Sequence, residues 1–140
     1  MILLDTNVIS EFMRPIPEPR VIGWLDRQPR SSVWTTSITV LEIQVGLQTL
    51  APGKRREQTT QAFKLLLNQK LERRVAVFDN AAAEQTATLI ATRNAAGHPG
   101  ELRDSMIAGI ALAANASLAT RNVRHFEDLR IRLINPWIDA

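Results

Sequence analysis

The apolar and polar positions change period several times along the chain. The short apolar runs ILL (2–4), VAVF (75–78), SLAT (117–120) and IRLI (131–134) are too brief for helices and read as strands. SSVWTTSIT is rich in β-branched residues and predicts another strand at about 32–36. Between these runs the spacing turns helical. A brief helix is expected from about Val8 to Met13, stopped by Pro15. A second, over about 18–27, carries Val21, Trp24 and Leu25. Thr39 is expected to open the helix VLEIQVGLQTL. After the APGKR turn (51–55) a helix over 56–71 has Phe63, Leu66, Leu67 and Leu71 on one stripe. Asp79 or Asn80 caps the next helix, which ends near Ala96, with Gly97 where a left-handed cap belongs. HPG (98–100) breaks the chain before the apolar helix LRDSMIAGIALAAN. Alternating strands and helices predict an α/β fold. The expectation is one domain over residues 1–140, with a central, mainly parallel sheet of about five strands flanked by helices.

In such sheets ligands gather outside the carboxyl ends of the strands. Asp5 follows the first strand and Asn122 the fourth. Glu42 lies one turn into the helix after the second strand, and Asp104 in the first turn of the apolar helix. Each has a bland explanation. Asp5, Thr6 or Asn7 can cap a helix. Thr39 and Glu42 fit a capping box, and Asp104 complements a helix dipole. Helix faces argue for more. Asp104 shares a face with Ile107, Ala108 and Ala111, where an unpaired carboxylate is costly. Glu42 shares its face with Val45 and Gly46, and a glycine inside a helix costs about 1 kcal/mol relative to alanine. Room for another group beside the glutamate is a reason to keep it.

Two carboxylates ~5 Å apart repel by ~3 kcal/mol at an effective dielectric of 20. Three such pairs total ~10 kcal/mol, comparable to the stability of a whole domain. A cluster of Asp5, Glu42 and Asp104 therefore calls for protons, basic side chains or a divalent cation. Composition narrows the choice. The 140 residues contain no cysteine and only two histidines, His98 and His125, so any metal would be held by oxygen. Mg²⁺ or Mn²⁺ is the natural candidate. No histidine supports Ser10 or Ser105 as a nucleophile.

The chain is 45% hydrophobic, with 17 Lys+Arg against 14 Asp+Glu, a net charge of +3 and a pI near 10.2. That balance permits an anionic partner such as nucleic acid without demanding one. Lys54, Arg55 and Arg56, and separately Arg73 and Arg74, read as solvated surface. Arg121, Arg124, Arg130 and Arg132 follow the fourth strand and suit RNA phosphates. Aromatics are 5% and tyrosine is absent, which argues against a base-stacking platform. The helix of Trp24 and Leu25 and the Phe63 stripe read as core. No leader or membrane-length apolar run is seen, so the expectation is a cytoplasmic protein with no membrane association.

MILLDTNVISE, SITVLEIQVGL, LRDSMIAGIALAANASLATRNVRHFE and the final INPW together resemble the PIN-domain ribonucleases. More narrowly, they look like the VapC toxins of bacterial toxin–antitoxin pairs, in the FitB-like branch. The resemblance spans nearly the whole chain. It implies Mg²⁺- or Mn²⁺-dependent hydrolysis of RNA, with Asp5 and Asp104 as metal ligands and Glu42 as the third acid. The family's fourth acidic position falls on Asn122, which keeps an oxygen but loses the charge. Thr6 and Thr120 match hydroxyl positions beside the site, and Arg121 stands next to it. The resemblance further implies a homodimer and an inhibitory, DNA-binding VapB-type antitoxin. Two other readings remain open: a catalytically weak module that mainly holds an antitoxin on DNA, and a metal-dependent phosphatase.

Overall fold

A computed structural model of the chain describes residues 1–139. Strand β1 (Ile2–Leu4) lies at the centre of a five-stranded sheet. It is flanked by β2 (Val33–Thr36) and β4 (Ser117–Ala119), with β3 (Val75–Ala76) and β5 (Leu133–Ile134) outermost. The order is β3-β2-β1-β4-β5, and every pairing is parallel. Ile2 pairs with both Val33 and Ser117, and Leu4 with Ala119. The chain winds outward from β1 in both directions, so a switch point falls between β1 and β4.

Side-chain alternation in β1 divides the core. Leu4 joins Val8, Val21, Trp24, Leu25, Ile43 and Phe63 on one face, while Leu3 joins Ile107, Ala111, Leu118 and Phe126 on the other. The first layer is roofed by α1 (Thr6–Phe12), α2 (Pro19–Asp26), α3 (Ser37–Thr49) and α4 (Lys54–Leu65). The second is roofed by α5 (Asn80–Ala95) and α6 (Leu102–Ala114). Gly109 of α6 has to be glycine: a Cβ there would meet Thr86 Oγ1 at 1.8 Å and the Ala82 carbonyl at 2.7 Å. That close approach seats α6, and with it Asp104, against α5. Trp24, Leu25 and Phe63 are core, as their spacing predicts.

Several boundaries differ from the expectation, for local reasons. Helix α1 starts at Thr6 because Asp5 caps it, accepting from the Thr6 amide. Helix α3 starts at Ser37, capped by Thr36, whose hydroxyl accepts from the Thr39 amide at 3.1 Å. Thr39 is therefore inside the helix and the Thr39–Glu42 capping box does not form. The helix expected to reach Leu71 widens after α4 into a π-helical turn, Leu66–Lys70, where the Leu71 amide reaches the Leu66 carbonyl at 3.0 Å. The wider turn keeps Leu66 and Leu71 buried together. Strand β3 stops at Ala76 because the Phe78 amide turns to Ser37 Oγ. Gly97 adopts φ +75°, as its place after α5 predicts. Arg74 is not the solvated cation expected: it donates to the Val33 carbonyl at 2.9 Å and packs the edge of β2. Among the described residues no helix is long and apolar enough to cross a membrane.

Candidate active site

The site forms where β1 and β4 end side by side. The Asp5 amide donates to the Ala119 carbonyl at 2.9 Å, extending the ladder one residue past the end of β1. The chain then turns into α1, leaving the Asp5 side chain in the crevice, only 4% exposed. Its Oδ1 accepts from the Thr6 amide and its Oδ2 from Thr120 Oγ1, both at 2.8 Å. Both donors are neutral. Burial pushes the Asp5 carboxyl up from 3.8 to about 6; the two hydrogen bonds oppose this, and the charges of Asp104 and Glu42 add to it. Those two acids therefore lie within electrostatic reach of Asp5.

Glu42 reaches the site from α3. Freed from capping, its Oε1 accepts from Thr6 Oγ1 at 2.8 Å, and Thr39 Oγ1 lies 3.1 Å from the same hydroxyl. Glu42 Oε2 lies 3.9 Å from the Arg103 guanidinium. A cleft of about 880 Å³ opens beside it, lined by Thr6, Glu42, Gly46, Arg55 and Arg103. A Cβ on Gly46 would meet nothing within 4 Å, so the space expected beside the glutamate is there.

Asp104 sits in the first turn of α6, where Glu101 rather than Asp104 caps the helix. Its helix-face neighbours Ile107, Ala108 and Ala111 are fully buried. The partner that such a carboxylate needs is His125, whose Nδ1 lies 2.8 Å from Asp104 Oδ2. Sequence reasoning did not single out this histidine as a partner of Asp104. His125 lies 21 residues from Asp104 in the chain, in a 3-10 turn (Val123–His125) with no periodic trace in the sequence.

Thr120, expected as a substrate-binding hydroxyl beside the site, lies beside it but turned inward. It is fully buried, and its hydroxyl accepts from the Asn122 amide at 3.0 Å while donating to Asp5. Thr6 is likewise engaged, by Glu42. Asn122 is exposed and reaches the cluster through its backbone amide. Arg121 is exposed, with its guanidinium 4.9 Å from the Trp137 ring centre. Asn7, considered only as a possible helix cap, instead braces the crevice: Oδ1 accepts from the Arg121 amide at 3.1 Å, and Nδ2 points to Thr120 Oγ1.

No three acids or histidines among the described residues are gathered closely enough to cage an ion by themselves. The donors are nevertheless the right chemistry for a hard cation. Mg²⁺ usually keeps several waters and binds through one or two carboxylates. An open, all-oxygen pair such as Asp5 and Asp104 fits that habit.

A family model for the PIN domain matches residues 2–131. The VapC ribonuclease Y4jK of Sinorhizobium fredii is 36% identical over the full length of both chains. Toxin FitB of Neisseria gonorrhoeae is 33% identical, over 99% of this chain and all of that protein. The solved structure of FitAB bound to a DNA fragment superposes with a TM-score of 0.87 at 33% identity, covering 98% of this chain and 96% of the other. The family model covers β1 to β4 with Asp5, Glu42 and Asp104, and the relatives align over nearly the whole chain, and so the chain belongs to the PIN-domain family, in the branch that includes VapC and FitB.

Proposed function

We propose that this chain is the toxin of a type II toxin–antitoxin pair and cleaves RNA as a Mg²⁺- or Mn²⁺-dependent endoribonuclease. One observation carries the reading: Asp5 is buried at the β1/β4 switch point, with no basic side chain among the described residues acting on it and two further carboxylates within reach. Such an arrangement is costly unless a positive ligand enters. Asp5 and Asp104 would hold the ion, which when bound supplies charge neutralisation at the phosphate and a more acidic water. Glu42, tethered through Oε1 by Thr6, would orient or deprotonate the attacking water through Oε2, a role also open to Asp104. Arg103, 3.9 Å from Glu42, and the exposed Arg121 would meet phosphate oxygens. Asn122 supplies no charge, which favours one metal over two. Likeness to FitAB and VapBC complexes supports a homodimer and an inhibitory, DNA-binding VapB-type antitoxin as partner. The exposed α3 side chains Leu41 and Val45 leave apolar area for such contacts.

The looseness of the acid cluster favours the weak, antitoxin-holding module as the second reading. Incubating purified protein with structured RNA, with Mn²⁺ or with chelator, separates the two. Cleavage that requires Mn²⁺ and disappears in Asp5→Asn supports the nuclease; RNA left intact under both conditions overturns it.

A further inference from the structure

A second buried charge lies behind the acid site. Arg93, near the end of α5, is 6% exposed, and each of its three guanidinium nitrogens donates a hydrogen bond. Nε and Nη2 grip Asp128 Oδ2 and Oδ1, each at 2.8 Å, in a two-pronged pair. Nη2 also donates to the His125 carbonyl at 2.8 Å, and Nη1 to Ser105 Oγ at 3.1 Å. Gly100, at φ +70°, closes the 98–100 turn over the guanidinium: a Cβ there would lie 3.2 Å from Nη1. One side chain thus joins α5, the first turn of α6 and the segment after β4. Two of its partners bracket the His125–Asp104 contact: Ser105 follows Asp104, and His125 supplies the ring.

A carboxylate accepts only, so in the contact with ionised Asp104 the proton belongs to His125 Nδ1. This occupies Oδ2, and among the described residues no hydrogen bond reaches Oδ1. We propose that Arg93 is a positioning residue that locks the 123–128 segment in place, so that His125 holds Asp104 Oδ2 and reserves Oδ1 for the ion. This rests on the nuclease reading given above. A purely structural arginine would tie helices together. This one grips the backbone of the residue that orients a candidate ligand, the arrangement by which outer partners tune metal sites. Lysine has one charged nitrogen and cannot reproduce the fork.

With two histidines in the chain, the test has a metal-free readout. Nitrogen-15 NMR of histidine-labelled, metal-free protein at alkaline pH should show His125 as the Nδ1–H tautomer and exposed His98 as a mixture. Arg93→Lys and Asp128→Asn should return His125 to a mixture and weaken Mn²⁺ affinity about 10–100-fold by calorimetry, with circular dichroism unchanged. Asp128 is half exposed, so its variant decides if Arg93→Lys does not fold. Wild-type tautomer and wild-type Mn²⁺ affinity in a folded variant overturn the proposal. If wild-type protein binds no Mn²⁺, the nuclease reading falls, and the tautomer alone decides whether Arg93 positions His125.

Discussion

Helix α1 buries a carboxylate at each end, and the two are treated differently. Glu11, 5% exposed, accepts from Arg14 Nη1 on both oxygens at 3.0–3.1 Å and from the Glu18 amide at 2.9 Å. A cation and a backbone donor satisfy it, and it ties down the proline-rich turn before α2. Asp5 is equally buried but, among the described residues, receives only neutral donors and feels the charge of acids rather than bases. The difference shows that burial alone does not mark a functional carboxylate. What marks Asp5 is burial without a compensating charge, at a strand end where a ligand has access.

The largest expected contrast is in activity. Asp5→Asn should lower RNA cleavage about 10³-fold, or ~4 kcal/mol of transition-state stabilisation. Glu11→Gln should stay within a few-fold of wild type in the same gel assay. Equal losses in both would erase the distinction.

Next comes pH. Between pH 3.8 and about 6 the native protein keeps a proton on Asp5 that the unfolded chain has released. Stability of metal-free protein should therefore fall as pH rises through that window, by about 3 kcal/mol from this group. Urea melts at pH 4 and pH 7 should reveal the fall in wild type and in Glu11→Gln. Asp5→Asn should remove it. Because protons and metal compete for the same carboxylate, added Mn²⁺ should raise the melting temperature more at pH 7.5 than at pH 5.

At the other end of α1, Glu11→Ala should cost about 2 kcal/mol in urea denaturation, through the lost bond to the Glu18 amide. The exposed Arg14 contributes little to that figure. The smallest effect is expected from Thr6→Ala, which unties Glu42 from α1. A roughly tenfold drop in cleavage, about 1.4 kcal/mol, should appear with a far-UV spectrum like wild type.

Asp5, Glu42 and Asp104 were legible in the sequence because strand ends and helix faces are periodic features. The cap at Thr36 was not, since Thr36 and Thr39 are both plausible caps and only the end of β2 chooses between them. His125 and Arg93 were illegible for another reason. Their meeting depends on how α5, α6 and the segment after β4 pack, and Gly109 sets the closeness of α5 and α6.

The chain's own pattern of residues determined the order of strands and helices, the two core faces on either side of β1, and which acids stand at strand ends. Local periodicity and side-chain alternation are enough for that. Tertiary structure alone decided that buried Asp5 is left among acids and which histidine meets Asp104. Those outcomes depend on distances between residues remote in the chain, 115 apart for Asp5 and Thr120. Hydrogen bonds and charge effects act only across such short spatial gaps, and a linear pattern does not encode them.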